Sequence, residues 1–135
     1  MAKANRVLAD TCAWIDFFNN RGTPLAKVLE EHLIQGDVYT CGIVKYELVQ
    51  GLKSSQEEVL LLEALRALDH LEMTESLWYD AGRLSASLRK EGVTLPLSDI
   101  LIATLAMERG LSVLTVDRHF NQIADLRVTG LPAAG

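Results

Sequence analysis

Short apolar runs alternate with longer segments of helical periodicity along nearly the whole chain. The runs at residues 6–9, 38–41 and 111–116 have the length of β-strands. The segments 24–36 and 75–90 carry apolar residues every three or four positions, as amphipathic helices do. Strands that alternate with helices favour an α/β fold, and we expect a mostly parallel sheet.

The remaining elements follow weaker patterns. Apolar spacing and capping residues predict further helices at 12–18, 43–52 and 99–109, whereas 71–73 and 126–128 are weak strand candidates. Residues 121–125 are expected to be irregular or to form a short turn. One more helix should begin at Ser54 or Ser55, and its expected buried side consists of Val59, Leu62, Leu65 and Leu68.

Two of the predicted strands end directly at an aspartate. Asp10 follows the first strand, and Asp117 follows the run at 111–116. In parallel sheets the carboxyl ends of the strands meet at one edge, and ligands bind there, at the point where the strand order reverses. A helix cap explains Asp10 equally simply, and a turn explains Asp117. The positions therefore raise the hypothesis of one shared site and leave the local interpretations open.

Two further acidic residues lie next to apolar segments and not on an evidently solvated face. Asp99 lies in the first turn of an apolar helix, where the helix dipole alone would favour it. Glu47 lies on the border of an apolar stripe, beside Val44 and Gly51 in helical spacing. A solvated position at the rim is the alternative for Glu47.

If the four carboxylates converge, they require a counter-charge. Two carboxylates about 4 Å apart repel each other by ~4 kcal/mol at an effective dielectric constant near 20. Oxygen ligands favour Mg²⁺ or Mn²⁺, and such an ion supports hydrolysis of a phosphodiester. The four residues together therefore predict a metal-dependent site for a polyanionic substrate.

Composition limits the class of protein. The chain has 135 residues, 49% of them hydrophobic, and a formal net charge of −5, which predicts a single globular domain over 1–135 and argues against coating nucleic acid by electrostatics alone. Residues 1–10 lack an apolar signal-peptide core, and no apolar run has the length of a membrane span, so we expect a cytoplasmic protein. The two cysteines, Cys12 and Cys41, are expected to be free thiols.

The acidic motifs resemble those of the PIN-domain ribonucleases, and in particular the VapC toxins of bacterial toxin–antitoxin pairs. The matching features appear in the family's order along essentially the whole chain: Asp10 with Thr11 after the first strand, Glu47 with Leu48 and Gly51, Asp99 in "LPLSDILIATLA", and Asp117 with Phe120 in "LTVDRHF".

The resemblance implies a three-layer PIN-like fold and Mg²⁺- or Mn²⁺-dependent endonucleolytic cleavage of RNA. It also implies that Asp10 and Asp99 ligate the metal directly, and that Glu47 and Asp117 complete the cluster. Thr11 and Thr115 would hydrogen-bond a carboxylate or a water, or would be ordinary threonines at strand ends. The implied partners are a second copy of the chain, a cognate VapB-like antitoxin and, only through that antitoxin, operator DNA. The implied protein has no membrane contact.

Proteins of other classes were also considered. A non-catalytic RNA- or protein-binding module on the same scaffold is the main alternative. A phospho-acceptor receiver domain and an Asp-x-Asp phosphatase are rejected because Thr11 and Cys12 follow Asp10.

The side chains around the expected cleft allow two readings each. Five basic residues could form a path for RNA, but we favour scattered surface charge for them: Lys45, Lys53, Arg89, Lys90 and Arg118. Core or dimer contacts are favoured over base stacking for Trp14, Trp78 and Tyr79, and packing of the loop is favoured over a general-base role for His119.

Overall fold

The computed structural model describes residues 6–130, and this part of the chain forms one five-stranded, all-parallel sheet flanked by six α-helices. The strands are β1 (Val7–Ala9), β2 (Val38–Cys41), β3 (Asp69–Leu71), β4 (Ser112–Leu114) and β5 (Val128–Thr129). The helices are α1 (Thr11–Phe18), α2 (Pro24–Gln35), α3 (Gly42–Gln50), α4 (Ser55–Arg66), α5 (Glu75–Lys90) and α6 (Leu97–Arg109). A short 3-10 helix covers Arg118–Gln122. The predicted α/β class is confirmed.

Local signals set the helix ends. The hydroxyl of Thr23 accepts a hydrogen bond from the backbone N–H of Ala26 at 3.1 Å and so caps α2. Gly36 and Gly110 end α2 and α6 in the left-handed conformation, with φ of 75° and 66°. Only glycine adopts this conformation without steric cost, so the ends of both helices could be predicted from the sequence.

The sheet topology creates a switch point beside β1. The strand order is β3-β2-β1-β4-β5, so the chain runs outward from β1 in one direction and then returns to β4 on the other side. Ala9 pairs with Leu114, which places Asp10 next to Thr115 just beyond the carboxyl ends of the two central strands. This is where parallel α/β sheets bind ligands.

The core lies around β1 and α6. Val7, Leu8 and Ala9 are almost wholly buried, and the eight residues 99–106 of α6 are all buried. A helix without a solvent-exposed face is enclosed by protein on all sides. Trp14 and Phe120 are the two largest fully buried side chains, so the preference for a core position at Trp14 is confirmed.

Some sequence predictions were wrong in position. The third strand covers Asp69–Leu71 rather than 71–73, because its backbone pairs with Tyr39–Cys41 of β2 whatever its side chains are. The last strand is Val128–Thr129 instead of 126–128, since it pairs with β4. The region 121–125 agrees with the expected short turn, since the 3-10 helix extends to Gln122.

The buried side of α4 was also predicted imperfectly. Leu61 and Leu65 are buried, whereas Val59 is 55% exposed. The helix therefore packs through a narrow i, i+4 stripe, and the expected wider face is partly in solvent. Trp78 and Tyr79 on α5 are 50% and 61% exposed, so a core position was wrong for both, and a dimer contact stays a prediction.

Candidate active site

Asp10 is held in place at the end of β1 by three hydrogen-bond donors. Its Oδ1 accepts from the N–H of Thr11 at 2.8 Å, so it caps α1 as the local interpretation proposed. Its Oδ2 accepts from the Thr115 hydroxyl at 2.7 Å, with the Cys12 Sγ 3.6 Å away. Asp10 is only 7% exposed, although a cap does not need burial. The side chain is therefore fixed more firmly than a cap requires.

Thr115 joins two of the aspartates. Its fully buried hydroxyl donates to Asp10 and accepts from the backbone N–H of Asp117 at 2.9 Å. One hydroxyl thus sets the distance between the end of β1 and the loop after β4.

We expect Thr115→Val to destabilise the protein by about 1–3 kcal/mol, because the change leaves a buried carboxylate oxygen and a backbone N–H without their partner. Urea unfolding measures the loss. Thr104→Val is the matched control: its buried hydroxyl donates to the carbonyl of Ile100 within α6 and links no second element. A Thr115→Val protein as stable as Thr104→Val would contradict the linking role.

Asp99, Asp117 and His119 form the tightest cluster of ligand-type atoms in the described part of the chain. One ligand atom from each lies within 4.8 Å of the other two. The Asp99 side chain is 8% exposed, that of Asp117 37% and that of His119 49%. The cluster therefore leads from the protein interior to solvent.

His119 is the residue that sequence reasoning misjudged. Its Nδ1 lies 2.9 Å from Asp99 Oδ2 and 3.3 Å from Asp117 Oδ1, and its ring is half-exposed. The interpretation of His119 as a residue that packs the loop was wrong; the neighbouring Phe120 fills that role. The available signal was that His119 follows a candidate site aspartate by two residues.

Glu47 joins the group through Thr11. The Thr11 hydroxyl donates to Glu47 Oε1 at 2.5 Å, while the Thr11 backbone N–H donates to Asp10. Glu47 is partly exposed on α3 and lies outside the 4.8 Å cluster. The structure thus places Asp10 and Glu47 on either side of Thr11, with Asp99 and Asp117 linked through His119.

Burial and mutual repulsion raise the affinity of this site for positive charge. Burial, opposed by hydrogen bonds, raises the pKa of Asp10 and of Asp99 above the usual value, and the Asp117 charge raises both further. The pKa of His119 is raised by its hydrogen bond to Asp99 and by the Asp117 charge. A divalent cation would relieve the same repulsion. Carboxylate oxygens with one imidazole nitrogen are a donor set that fits such an ion.

Two of the basic residues singled out in the sequence, Lys45 and Arg118, lie on different elements. Arg118 is exposed in the 3-10 helix beside Asp117. The Lys45 Nζ lies 2.8 Å from the His70 Nδ1 on β3, the edge strand.

Fold and site together define an α/β domain with a cluster of carboxylates at the switch point of a parallel sheet. The PIN domain family model matches residues 7–126, and the chain belongs to the PIN domain family. No curated protein sequence matches the chain significantly.

Similar solved structures extend over nearly the whole chain. FitAcB from Neisseria gonorrhoeae is 26% identical, with 90% of this chain and 95% of that chain covered and a TM-score of 0.71. VapBC from Salmonella typhimurium, solved bound to DNA, is 23% identical with 92% and 96% covered and a TM-score of 0.75. VapBC2 from Rickettsia felis, solved bound to a DNA fragment from their promoter, is 20% identical with 90% and 96% covered and a TM-score of 0.75.

Within residues 6–130, no helix has both the length and the apolar character needed to cross a bilayer.

Proposed function

We propose that this protein is the toxin of a type II toxin–antitoxin pair, and that it hydrolyses RNA phosphodiester bonds with Mg²⁺ or Mn²⁺ bound at its acidic cluster. The observation that carries the proposal is the convergence of Asp10, Asp99 and Asp117 at the carboxyl edge of the sheet, where Thr115 links Asp10 to Asp117 and His119 links Asp99 to Asp117. Membership of the PIN domain family supports it. The likeness in fold to VapBC structures supports the toxin assignment.

Asp10, Asp99 and Asp117 are the residues that would hold the ion, with Glu47 at the edge of the group. A bound divalent cation would lower the pKa of a water molecule and stabilise the negative charge on the phosphate. Thr115 and the N–H of Thr11 orient Asp10 so that it does not have to reorganise during the reaction. Asp117, the more exposed partner of Asp99, would complete the cluster on its solvent side and orient the attacking water.

The partners follow from the same assignment. An antitoxin covers the cleft and restrains the nuclease, and operator DNA is contacted through the antitoxin, in line with the DNA-bound VapBC complexes. The active form is a homodimer. Because its substrate is RNA, the protein acts in the cytoplasm.

The test of catalysis uses the purified chain and labelled single-stranded RNA. We expect cleavage with Mg²⁺ or Mn²⁺, none in EDTA, and none by Asp10→Asn. Asp69→Asn is the matched control, because Asp69 is exposed at the start of edge strand β3. Binding of RNA without cleavage by the wild-type protein would favour the non-catalytic module instead.

The test of toxicity uses expression in a bacterial host. Wild-type protein should arrest growth, Asp10→Asn should not, and co-expression of the small protein encoded by the adjacent gene should restore growth. Growth arrest that persists in Asp10→Asn would show that toxicity does not come from this site.

A further inference from the structure

His119 places a ring nitrogen where two aspartates meet. Its Nδ1 lies 2.9 Å from Asp99 Oδ2 and 3.3 Å from Asp117 Oδ1. The ion pairs of the other two histidines differ: His32 lies against Asp37 and His70 against Glu72, each with one carboxylate. Among the described residues, His119 is thus the histidine whose nitrogen is shared between two aspartates.

The backbone keeps the imidazole at this position. Asp117 Oδ1 accepts a hydrogen bond from the backbone N–H of His119 at 2.9 Å and caps the 3-10 helix. Phe120, the next residue, is fully buried. Since the backbone N–H of His119 is hydrogen-bonded and the next residue is buried, the imidazole can leave the cluster only by rotating its own side-chain bonds.

We propose that His119 Nδ1 is a direct ligand of the divalent ion, together with Asp99 and Asp117, and that it shifts the metal preference of the site away from Mg²⁺ toward a first-row transition ion. This inference rests on the proposed function.

Donor chemistry gives the direction of the preference. Mg²⁺ is held by oxygen ligands and gains little from an imidazole. First-row transition ions accept imidazole nitrogen readily, so a nitrogen in the cluster stabilises them selectively. An all-oxygen cluster of Asp10, Asp99, Asp117 and Glu47, as the sequence predicted, would lack this preference.

The probe is Mn²⁺ bound to the purified full-length protein, observed by pulsed electron paramagnetic resonance. We expect the coupling of one directly ligated ¹⁴N in the wild-type protein, its change to a ¹⁵N coupling after labelling with ¹⁵N-histidine, and its loss in His119→Ala. His32→Ala is the matched control, because it removes a histidine–aspartate pair at the opposite edge of the sheet.

Affinities give the second measurement. His119→Ala should weaken Mn²⁺ binding by about tenfold and leave Mg²⁺ binding, measured by competition, essentially unchanged. Stoichiometric Mn²⁺ binding without nitrogen coupling would overturn the ligand assignment and leave the proposed function intact. A wild-type protein that binds neither ion would overturn both.

Discussion

Asp99→Asn is expected to lower metal-dependent RNA cleavage by about 10³-fold and, at the same time, to raise the thermal stability of the metal-free protein. On the proposed function, activity falls because the change removes one of the charged groups that would hold the metal. Stability rises because burial and the charges of Asp117 and Asp10 make the ionised Asp99 unfavourable in the folded chain. We expect a melting temperature about 3 °C higher in EDTA, the shift that ~1 kcal/mol produces in a domain of this size.

The pH dependence of the free energy of unfolding gives a second way to observe the unfavourable charge of Asp99. A carboxyl group whose pKa is raised by folding stabilises the native state below the pKa of the unfolded chain, and this contribution is lost as the pH rises through the native pKa. The raised pKa of His119 acts in the same direction: its contribution to stability is lost as the pH rises from its usual value of 6.5 through the raised pKa. The metal-free wild-type protein should therefore lose stability from about pH 4 upward, and Asp99→Asn should lose less.

Melting curves in EDTA across this pH range, with cleavage assays on the same samples, measure both effects. Asp80→Asn is the control, because Asp80 is a half-exposed aspartate on α5 paired with Arg83. An Asp99→Asn protein that is less stable than wild type at neutral pH in EDTA would mean that hydrogen bonding at Asp99 outweighs the repulsion.

The central part of the fold and site could be read from local sequence. Apolar runs that end at Asp10 and Asp117 mark strand ends, and a parallel sheet brings such ends to one edge. For Asp99 the sequence left a helix-dipole position and a site position both open, and only the resemblance to the acidic motifs of the PIN-domain ribonucleases placed it in the site. The strand ends, in contrast, depend only on chain direction and periodicity.

The contacts made by individual side chains could not be read in the same way. Nothing local to His119 shows that its ring turns toward Asp99, twenty residues earlier in the chain. The position of β3 was missed because Asp69 and His70 are poor strand residues, and pairing with β2 outweighs their propensity. The narrow stripe of α4 depends on which leucines meet the core, and helical spacing alone allows neighbouring choices.

Phe120→Ala is expected to have the largest effect on stability, a loss of about 3–5 kcal/mol in the free energy of unfolding. Phe120 is fully buried and, with Trp14, is the largest side chain in the core. Because Phe120 directly follows His119 and lies three residues after Asp117, the cavity left by the ring also frees the loop that carries both. We therefore expect divalent binding to weaken in the same variant.

Urea unfolding with and without Mn²⁺ measures the two consequences separately. Phe120→Leu keeps most of the buried volume, so it should retain a folded protein in which metal binding can be measured if the alanine variant unfolds. Gln122→Ala, an exposed residue of the same 3-10 helix, is the control and should change neither quantity. If Phe120→Leu loses stability but binds Mn²⁺ as the wild type does, then Phe120 anchors the core without positioning the cluster, and the orientation of Asp117 and His119 must come from Thr115 and the backbone alone.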